Sequence, residues 1–560
     1  MTPDLNSVRD ALSILYGPSA LDDLTERLQA LIRKHQANLK PPPTAGDWSQ
    51  RDAFLIAYPD QVRDSPTPPL QSLLAFCRRQ VANRFSGLHI LPFYPSSSDD
   101  GFSVTDYRAV DPAFGDWQDL SAFADSFRLM VDLVLNHASA QGAWFDAFRR
   151  GEEPFRRFFL TPDPSADWSR VVRPRTSPLF TSYPTAGGER LVWTTFGPDQ
   201  VDLDYRTPEL LLEMIDVLLE YAARGAQMIR LDAVTYIWKQ AGTGCVHLPQ
   251  GHALVRLLRA VLDLAAPWVR LVTETNVPHH DNIAYFGDGR EADLVYQFPL
   301  PPLLTLALLT GDASRLSEWM SGLERPPGDA TFFNFLASHD GIGLYPVHGI
   351  LTDNELHLLE SETVARGGAV SSRSADAGRE LPYELNINLL DLLTEPERPG
   401  GAVDRFLVAH AILLSLAGIP AVYFHSLVGS RGDLRAVRQT GIPRRINREK
   451  LSATTLLTAL ETPGTERHRV HAGLVRLLQA RASHEAFAPS SEQEVLDMGP
   501  SLFAIRRGPI ACIHNVSGTS QGIDPPPGFR QGRDLLAGTA LTGPRWRLQP
   551  YQSLWVSAEP

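Results

Sequence analysis

The sequence predicts an α/β fold built on a (β/α)8 TIM barrel, and two observations carry that reading. Short apolar runs of strand length alternate with helix-like stretches along most of the chain. Three of those runs end in acids: Asp232 closes one, Glu274 another, and His339 and Asp340 follow a third. In a parallel barrel the C-terminal ends of the strands share one face, where catalytic side chains collect.

The first strand is read at 52–59 (DAFLIAYP) and the second at 87–93 (GLHILPF), with a helical stretch over 70–83 between them. The third, 128–136 (RLMVDLVLN), ends in Asn136 and His137. In the fourth, 227–234, Arg230 and Asp232 are two residues apart and so share one face of the strand. The fifth, 269–275, is reached through a helix-like segment, 253–265. The runs at 292–298 (ADLVYQF), 331–338 and 419–424 (IPAVYF) complete the eight.

Residues 1–50 read as an N-terminal helical extension packed on the outside of the barrel. Leu21, Leu24, Leu28, Leu31 and Ile32 recur at helical spacing, with acids early and Arg33 and Lys34 late, as the helix dipole prefers. Pro41-Pro42-Pro43 closes the segment. The barrel is assigned 51–137 and 204–480, well beyond the usual ~250 residues, so insertions are implied. Residues 138–203, rich in aromatics, Arg and Pro, read as a loop-rich B-type insertion after the third strand. A second excursion, 341–395, carries a Gly/Ser-rich run at 367–378 that reads as a mobile loop. Residues 481–560 read as a C-terminal antiparallel β domain, with short strands at 501–507, 510–516 and 551–557 between Gly/Pro turns.

Composition excludes several classes of function. Of the 560 residues 43% are hydrophobic, enough for a large core, and the net charge of −12 argues against nucleic acid or an anionic membrane as the main partner. Cys77, Cys245 and Cys512 are too few and too scattered for a disulfide framework or a zinc site. The N-terminus shows no basic and apolar leader pattern. The apolar stretch 406–424 is broken by His410, Ser415, Gly418 and Pro420, so it reads as a core helix running into a strand rather than a membrane span. The expectation is a soluble cytoplasmic enzyme, monomer or homodimer, with small-molecule substrates.

The acids fit glycoside chemistry. A retaining enzyme needs two carboxyl groups about 5 Å apart, one as nucleophile and one as acid/base. Asp232 and Glu274, at the ends of adjacent strands, are expected to meet that spacing. Arg230 would keep Asp232 ionised and oriented, and the apolar setting of Glu274 (LVTETN) would raise its pKa towards the proton-donor role.

Four stretches, DLVLNH (132–137), MIRLDAV (228–234), TETN (273–276) and ASHD (337–340), resemble in order and spacing the signature regions of the α-amylase superfamily (glycoside hydrolase family 13). The resemblance implies Asp232 as nucleophile, Glu274 as acid/base and Asp340 as transition-state stabiliser. It also implies that Arg230, His137 and His339 bind sugar. HILPFYPSSSDDGFSVTDYRAVDP, RLDAVTYIWKQAGTGC, LPPLL and SHDGIG are similar to the sucrose phosphorylase subfamily. By that likeness Asp99 and Phe102 hold the glucosyl unit, and Tyr236 is an aromatic platform beneath it. Arg175, Tyr383 and Arg444 match its phosphate-binding positions, Arg444 being counted with the glucosyl contacts as well.

The chain departs from the sucrose phosphorylases outside the glucose-holding set. About 50 residues precede the first strand, Asn276 replaces a histidine that contacts the leaving fructose, and Glu384 replaces a glutamine after the loop tyrosine. The extension and TETNVPHHDNIAYFGDG resemble the glucosylglycerate phosphorylases, which makes D-glycerate the expected acceptor. His279, His280 or Lys239 would supply donors for that small anion. The expected reaction is reversible phosphorolysis of 2-O-α-D-glucosyl-D-glycerate to α-D-glucose 1-phosphate and D-glycerate, with inorganic phosphate as co-substrate, no cofactor and no metal. Sucrose or sucrose 6'-phosphate phosphorylase is the first rival, and an α-glucosidase or transglucosylase on the same barrel the second. A non-catalytic binding protein would have lost one of the acids, and none is lost.

Overall fold

Eight parallel strands close into a barrel in the computed structural model of the chain, which describes residues 5–374, 380–395 and 399–558. They are β1 (Phe54–Ala57), β2 (Gly87–Ile90), β3 (Arg128–Val134), β4 (Ala226–Asp232), β5 (Arg270–Thr273), β6 (Leu294–Tyr296), β7 (Thr331–Asn334) and β8 (Ile419–Tyr423). Each pairs with its neighbours in chain order, and β1 closes the ring against β8. Apart from the first residues of β3 and β5, all of these strand residues are buried, which is why apolar runs betray them. Every strand is shorter than the apolar run that predicts it. The flanking residues Leu91, Phe93, Leu135, Phe335 and Phe424 stay buried after the ladder ends, so apolarity outlasts the pairing.

Helices cover the barrel. Pro208–Ala223 and Pro249–Ala265 each begin with a proline in the first turn, where the missing N–H costs nothing. The N-terminal helices Leu5–Tyr16 and Leu21–His35 pack on Pro249–Ala265 and Pro208–Ala223, respectively. Three polar contacts pin them there: Tyr16 donates to the Tyr205 carbonyl at 2.8 Å, and Lys34 and His35 both reach Asp216, at 2.8 and 2.7 Å. No helix among the described residues is long and apolar enough to cross a membrane.

The insertion after β3 holds more order than its aperiodic sequence predicts. It contains the helix Ala143–Arg150 and an antiparallel hairpin, Phe180–Thr185 with Gly188–Trp193. Its two ends pair with each other, His137–Ser139 against Gln200–Asp202. The excursion after β7 differs from the expected loop in a similar way. Ala369–Ser374, the start of the Gly/Ser-rich run, is a strand paired with Glu380–Asn386, while residues 375–379 lie outside the described residues. Its serines and glycine obscure a strand that is set by pairing to a distant partner.

Six antiparallel strands and a two-stranded ribbon form the C-terminal domain. Buried Arg507 locks it to the barrel, and buried Arg481, on the preceding helix Glu466–Ala482, meets the same place. Arg507 donates to the carbonyls of Ser415, Ala488 and Glu492, and Arg481 to those of Leu414 and Gly418. Together they satisfy the last carbonyls of the helix Ala402–Ser415, at the negative end of its dipole.

Candidate active site

The C-terminal ends of the strands converge on one pocket. Asp232 is the last residue of β4, Glu274 follows β5, and Asp340 lies on the loop after β7. Asp232, Glu274, Asp340, Asp99, Phe102, His137, Arg230, Tyr236, His339, Arg444, Arg175, Tyr383 and Asn276 all line it.

Arg230 organises the acids. Barrel register sets it opposite Asp132 of β3, and its Nη1 donates to Asp132 at 2.5 Å and to Asp232 at 2.7 Å. Its Nη2 lies 3.9 Å from Glu274. Asp132 is wholly buried, and His89 at 2.9 Å and Arg230 hold it ionised with a pKa down to about 2 despite its burial. Glu274 accepts instead from the Ala233 N–H at 3.1 Å. That amide is aimed by a left-handed turn, with Ala233 at φ 52°, a conformation a residue with a Cβ adopts at a cost.

Burial raises the proton affinity of both Asp232 and Glu274, and a neighbouring carboxylate adds to it in each case, Glu274 beside Asp232 and Asp340 beside Glu274. The pair therefore holds one proton that ordinary carboxylates would have lost. Arg230 is in direct contact with Asp232 and a full ångström further from Glu274, which favours the charge on Asp232 and the proton on Glu274. This is the protonation a retaining glycosidase needs.

Asp340 goes the other way. Against the burial that would raise its pKa, Arg444 at 2.7 Å and Arg448 at 3.2 Å keep it well below the usual carboxylate range. Burial lowers the His339 imidazole to about 3, so the ring is neutral, and it lies parallel to Phe102 with centroids 5.1 Å apart. Asp99 sits on a tight loop with φ 52°, and its carboxylate, lowered against burial by Arg448, Arg444 and Arg175, is a charged acceptor in the pocket wall. His137 meets the Phe102 carbonyl at 3.0 Å through Nε2. Tyr236 packs edge-on against Phe196, over which the Arg175 guanidinium lies 5.7 Å from the ring centroid. Asn276 donates to the Tyr383 hydroxyl at 3.2 Å. Its Oδ1 is buried with no partner, and a Cβ on Gly343 would stand 2.6 Å from that oxygen.

Four expected residues stand elsewhere. Glu384 is behind the pocket wall, where its carboxylate takes the Gly341 N–H at 2.6 Å and the Arg444 guanidinium at 3.0 Å. Its charge is drawn inward by those partners. Arg444 is consequently paired with Asp340 and Glu384 together. Lys239 is buried between Asn136 at 2.8 Å and Asp202 at 2.5 Å, at the root of the insertion. The acid at Asp202, which its sequence position does not connect to Asn136, draws the ammonium there. His279 packs against Trp319, and the His280 side chain is 94% exposed. Neither histidine lines the pocket, because Pro278 starts a short helix that carries both away from the strand end. Among the described residues no group of three or more His, Cys, Asp or Glu is placed to hold a metal ion.

Sequence reasoning misses several residues that matter. Arg448, 1% exposed, bridges Asp340, Asp99 and Asp100 and caps the His339 carbonyl. Its signal is the third arginine of PRRINRE, four places past Arg444. Gln200, Phe196, Thr235 and Tyr296 also line the pocket. Gln200 reaches His137 at 3.1 Å and Asp99 at 3.4 Å from the far end of the aperiodic insertion.

Comparisons with known proteins agree with this geometry. The family profile "Alpha amylase, catalytic domain" matches residues 84–316. A glucosylglycerate phosphorylase of Allomeiothermus silvanus is 46% identical over 99% of both chains. A sucrose phosphorylase of Agrobacterium vitis is 32% identical over 80% of this chain and 90% of its own. Among solved structures, sucrose 6F-phosphate phosphorylase from Thermoanaerobacter thermosaccharolyticum superposes with a TM-score of 0.73 at 24% identity, covering 85% of this chain and 95% of that one. At that identity the likeness bears on the fold.

Proposed function

The chain belongs to the α-amylase family, in the branch of the glucosylglycerate phosphorylases, and from that premise we propose that it catalyses reversible phosphorolysis of 2-O-α-D-glucosyl-D-glycerate. The reaction is a double displacement. Asp232 attacks the anomeric carbon, the glycosidic C–O bond breaks, and Glu274 passes its proton to the departing glycerate oxygen. The carboxylate left on Glu274 then assists a phosphate oxygen in attacking the same carbon. The Asp232–glucosyl bond breaks and α-D-glucose 1-phosphate leaves with its configuration retained.

The glucosyl unit is held by Asp99, His137, Arg230 and His339, with Phe102 and Tyr236 as its aromatic walls. Asp340 stabilises the positive charge that develops at the transition state. Arg175 and Tyr383 face phosphate, and Arg444 joins them by giving up part of its pairing with Glu384. The observation that carries the acceptor reading is the 46% identity to a glucosylglycerate phosphorylase over 99% of both chains, and Asn276 lines the same pocket as Glu274. The three buried, unpaired cysteines support a reducing compartment such as the cytoplasm.

Synthesis from α-glucose 1-phosphate with D-glycerate and fructose in equal amounts tests the reading. Glycerate should take nearly all of the glucose. Fructose prevailing would return the protein to the sucrose phosphorylases, and phosphate-independent release of glucose would make it a hydrolase.

A further inference from the structure

Resting on that reading of the pocket, we propose that Asp199 is a positioning residue for glucosyl recognition, acting through the loop 96–103. This loop carries Asp99 and Phe102 into the pocket along an unusual path. Asp99, Asp100 and Gly101 have consecutive positive φ values of 52°, 49° and 113°. Two of the three are aspartates, which tolerate the left-handed region less well than glycine. At Gly101 a side chain is excluded outright, since a Cβ there would stand 2.5 Å from Pro92 Cβ. A loop of this shape keeps it only when its surroundings enforce it.

Asp199, from the far end of the insertion, supplies much of that enforcement. Its Oδ2 accepts from Ser97, from Ser98 at 2.6 Å and from Ser103 at 2.9 Å. Its Oδ1 accepts from Gln141 at 3.0 Å. Ser97 also meets Ser139 at 2.6 Å, and the Asp199 carbonyl accepts the Ala140 N–H at 2.9 Å and lies 2.9 Å from Ser103 Oγ. One carboxylate thus gathers the hydroxyls on both sides of the left-handed segment and ties them to the root of the insertion. Arg448 and Arg445 hold the middle of the loop through Asp100, at 2.7 and 2.8 Å. The next residue after Asp199, Gln200, touches Asp99 itself at 3.4 Å. The insertion therefore registers on the glucosyl pocket through adjacent residues, one shaping the loop and one contacting the acid it presents. A carboxylate suits this position because, ionised, it only accepts, and four donors converge on it.

A double-mutant cycle tests the assignment, with α-glucosyl fluoride and α-glucose 1-phosphate as donors. Asp199→Ala should lower kcat/KM about tenfold on both donors, mostly through KM, because it acts on the glucosyl unit that they share. Combined with Asp99→Ala, it should add almost nothing to the loss that Asp99→Ala causes alone, since one acts through the other. Where the alanine variant does not fold, Asp199→Asn keeps the volume and should show the same pattern, its amide hydrogens clashing with converging hydroxyl donors. Losses that multiply in the double variant, or an Asp199 variant within twofold of the parent on both donors, would overturn the proposal while leaving the phosphorylase reading intact. A parent enzyme inert on both donors overturns the phosphorylase reading and this proposal with it.

Discussion

Arg230 donates to Asp232 at 2.7 Å from the same strand, and this contact favours ionisation of Asp232 over that of Glu274, from which the guanidinium stands 3.9 Å away. Without it, burial and mutual repulsion would leave the proton free to sit on either carboxyl. With it, the guanidinium biases the charge towards Asp232, the proposed nucleophile, before substrate arrives.

Asp232→Ala should abolish turnover, by several orders of magnitude, on glucosylglycerate and on α-glucosyl fluoride alike, since no glucosyl ester can form. A clean preparation retaining more than a few per cent of activity would refute the assignment.

Glu274→Gln should separate donors by leaving group. Loss on a glycoside should be about 10²–10⁴-fold, with far less on the fluoride, whose departure needs no proton. The raised proton affinity of Glu274 fixes the sign of the pH dependence. The parent keeps glycoside cleavage above the ordinary carboxyl range and loses it as pH rises through the raised value. In the glutamine variant measured on the fluoride, that alkaline limb should vanish.

Arg175→Ala should weaken phosphate use by ~1.5–3 kcal/mol, the scale of a lost charged hydrogen bond, and spare glucosylation from the fluoride. Arg444→Ala should damage both half-reactions, because Asp340 and Glu384 then lose their shared cation in a buried setting. Single-turnover glucosylation distinguishes the two. An Arg444 variant with intact glucosylation would show that its pairing with Asp340 is incidental.

Lys239→Met should cost about 3–5 kcal/mol of stability, the usual penalty for breaking one side of a buried ion pair. Asp202 would keep a buried charge with Asn136 and Thr195 as its remaining neutral partners. Chemical denaturation reads the loss directly, and a change below ~1 kcal/mol would mean that water replaces the ammonium.

The strands were legible because parallel barrel strands are apolar on both faces, and the acids because they punctuate those strands. The arrangement around them was not. Nothing local says which arginine of PRRINRE turns inward, yet Arg448 and not its neighbours meets the His339 carbonyl 109 positions away in sequence. Lys239 and Asn136 are 103 positions apart, and only the closed barrel makes them neighbours. Gln200 sits in a segment without periodicity and gains its place from the short pairing of the insertion's two ends. Glu384 was read as a pocket residue from its place beside Tyr383. In a strand, however, adjacent side chains point to opposite faces, so the tyrosine enters the pocket and the glutamate backs it.

The pairing of Arg444 with Asp340 and Glu384 has a kinetic consequence. A guanidinium already matched by two carboxylates offers an arriving anion little net attraction, so phosphate and glycerate each bind by exchanging partners with the protein. On the proposed assignment both anions draw on the same few donors beside the same glucosyl ester, so the occupancy of one forbids the other. Initial rates of phosphorolysis at several fixed phosphate concentrations should therefore give parallel double-reciprocal lines, with glycerate inhibiting competitively against phosphate. Intersecting lines would mean that the two anions are held at once.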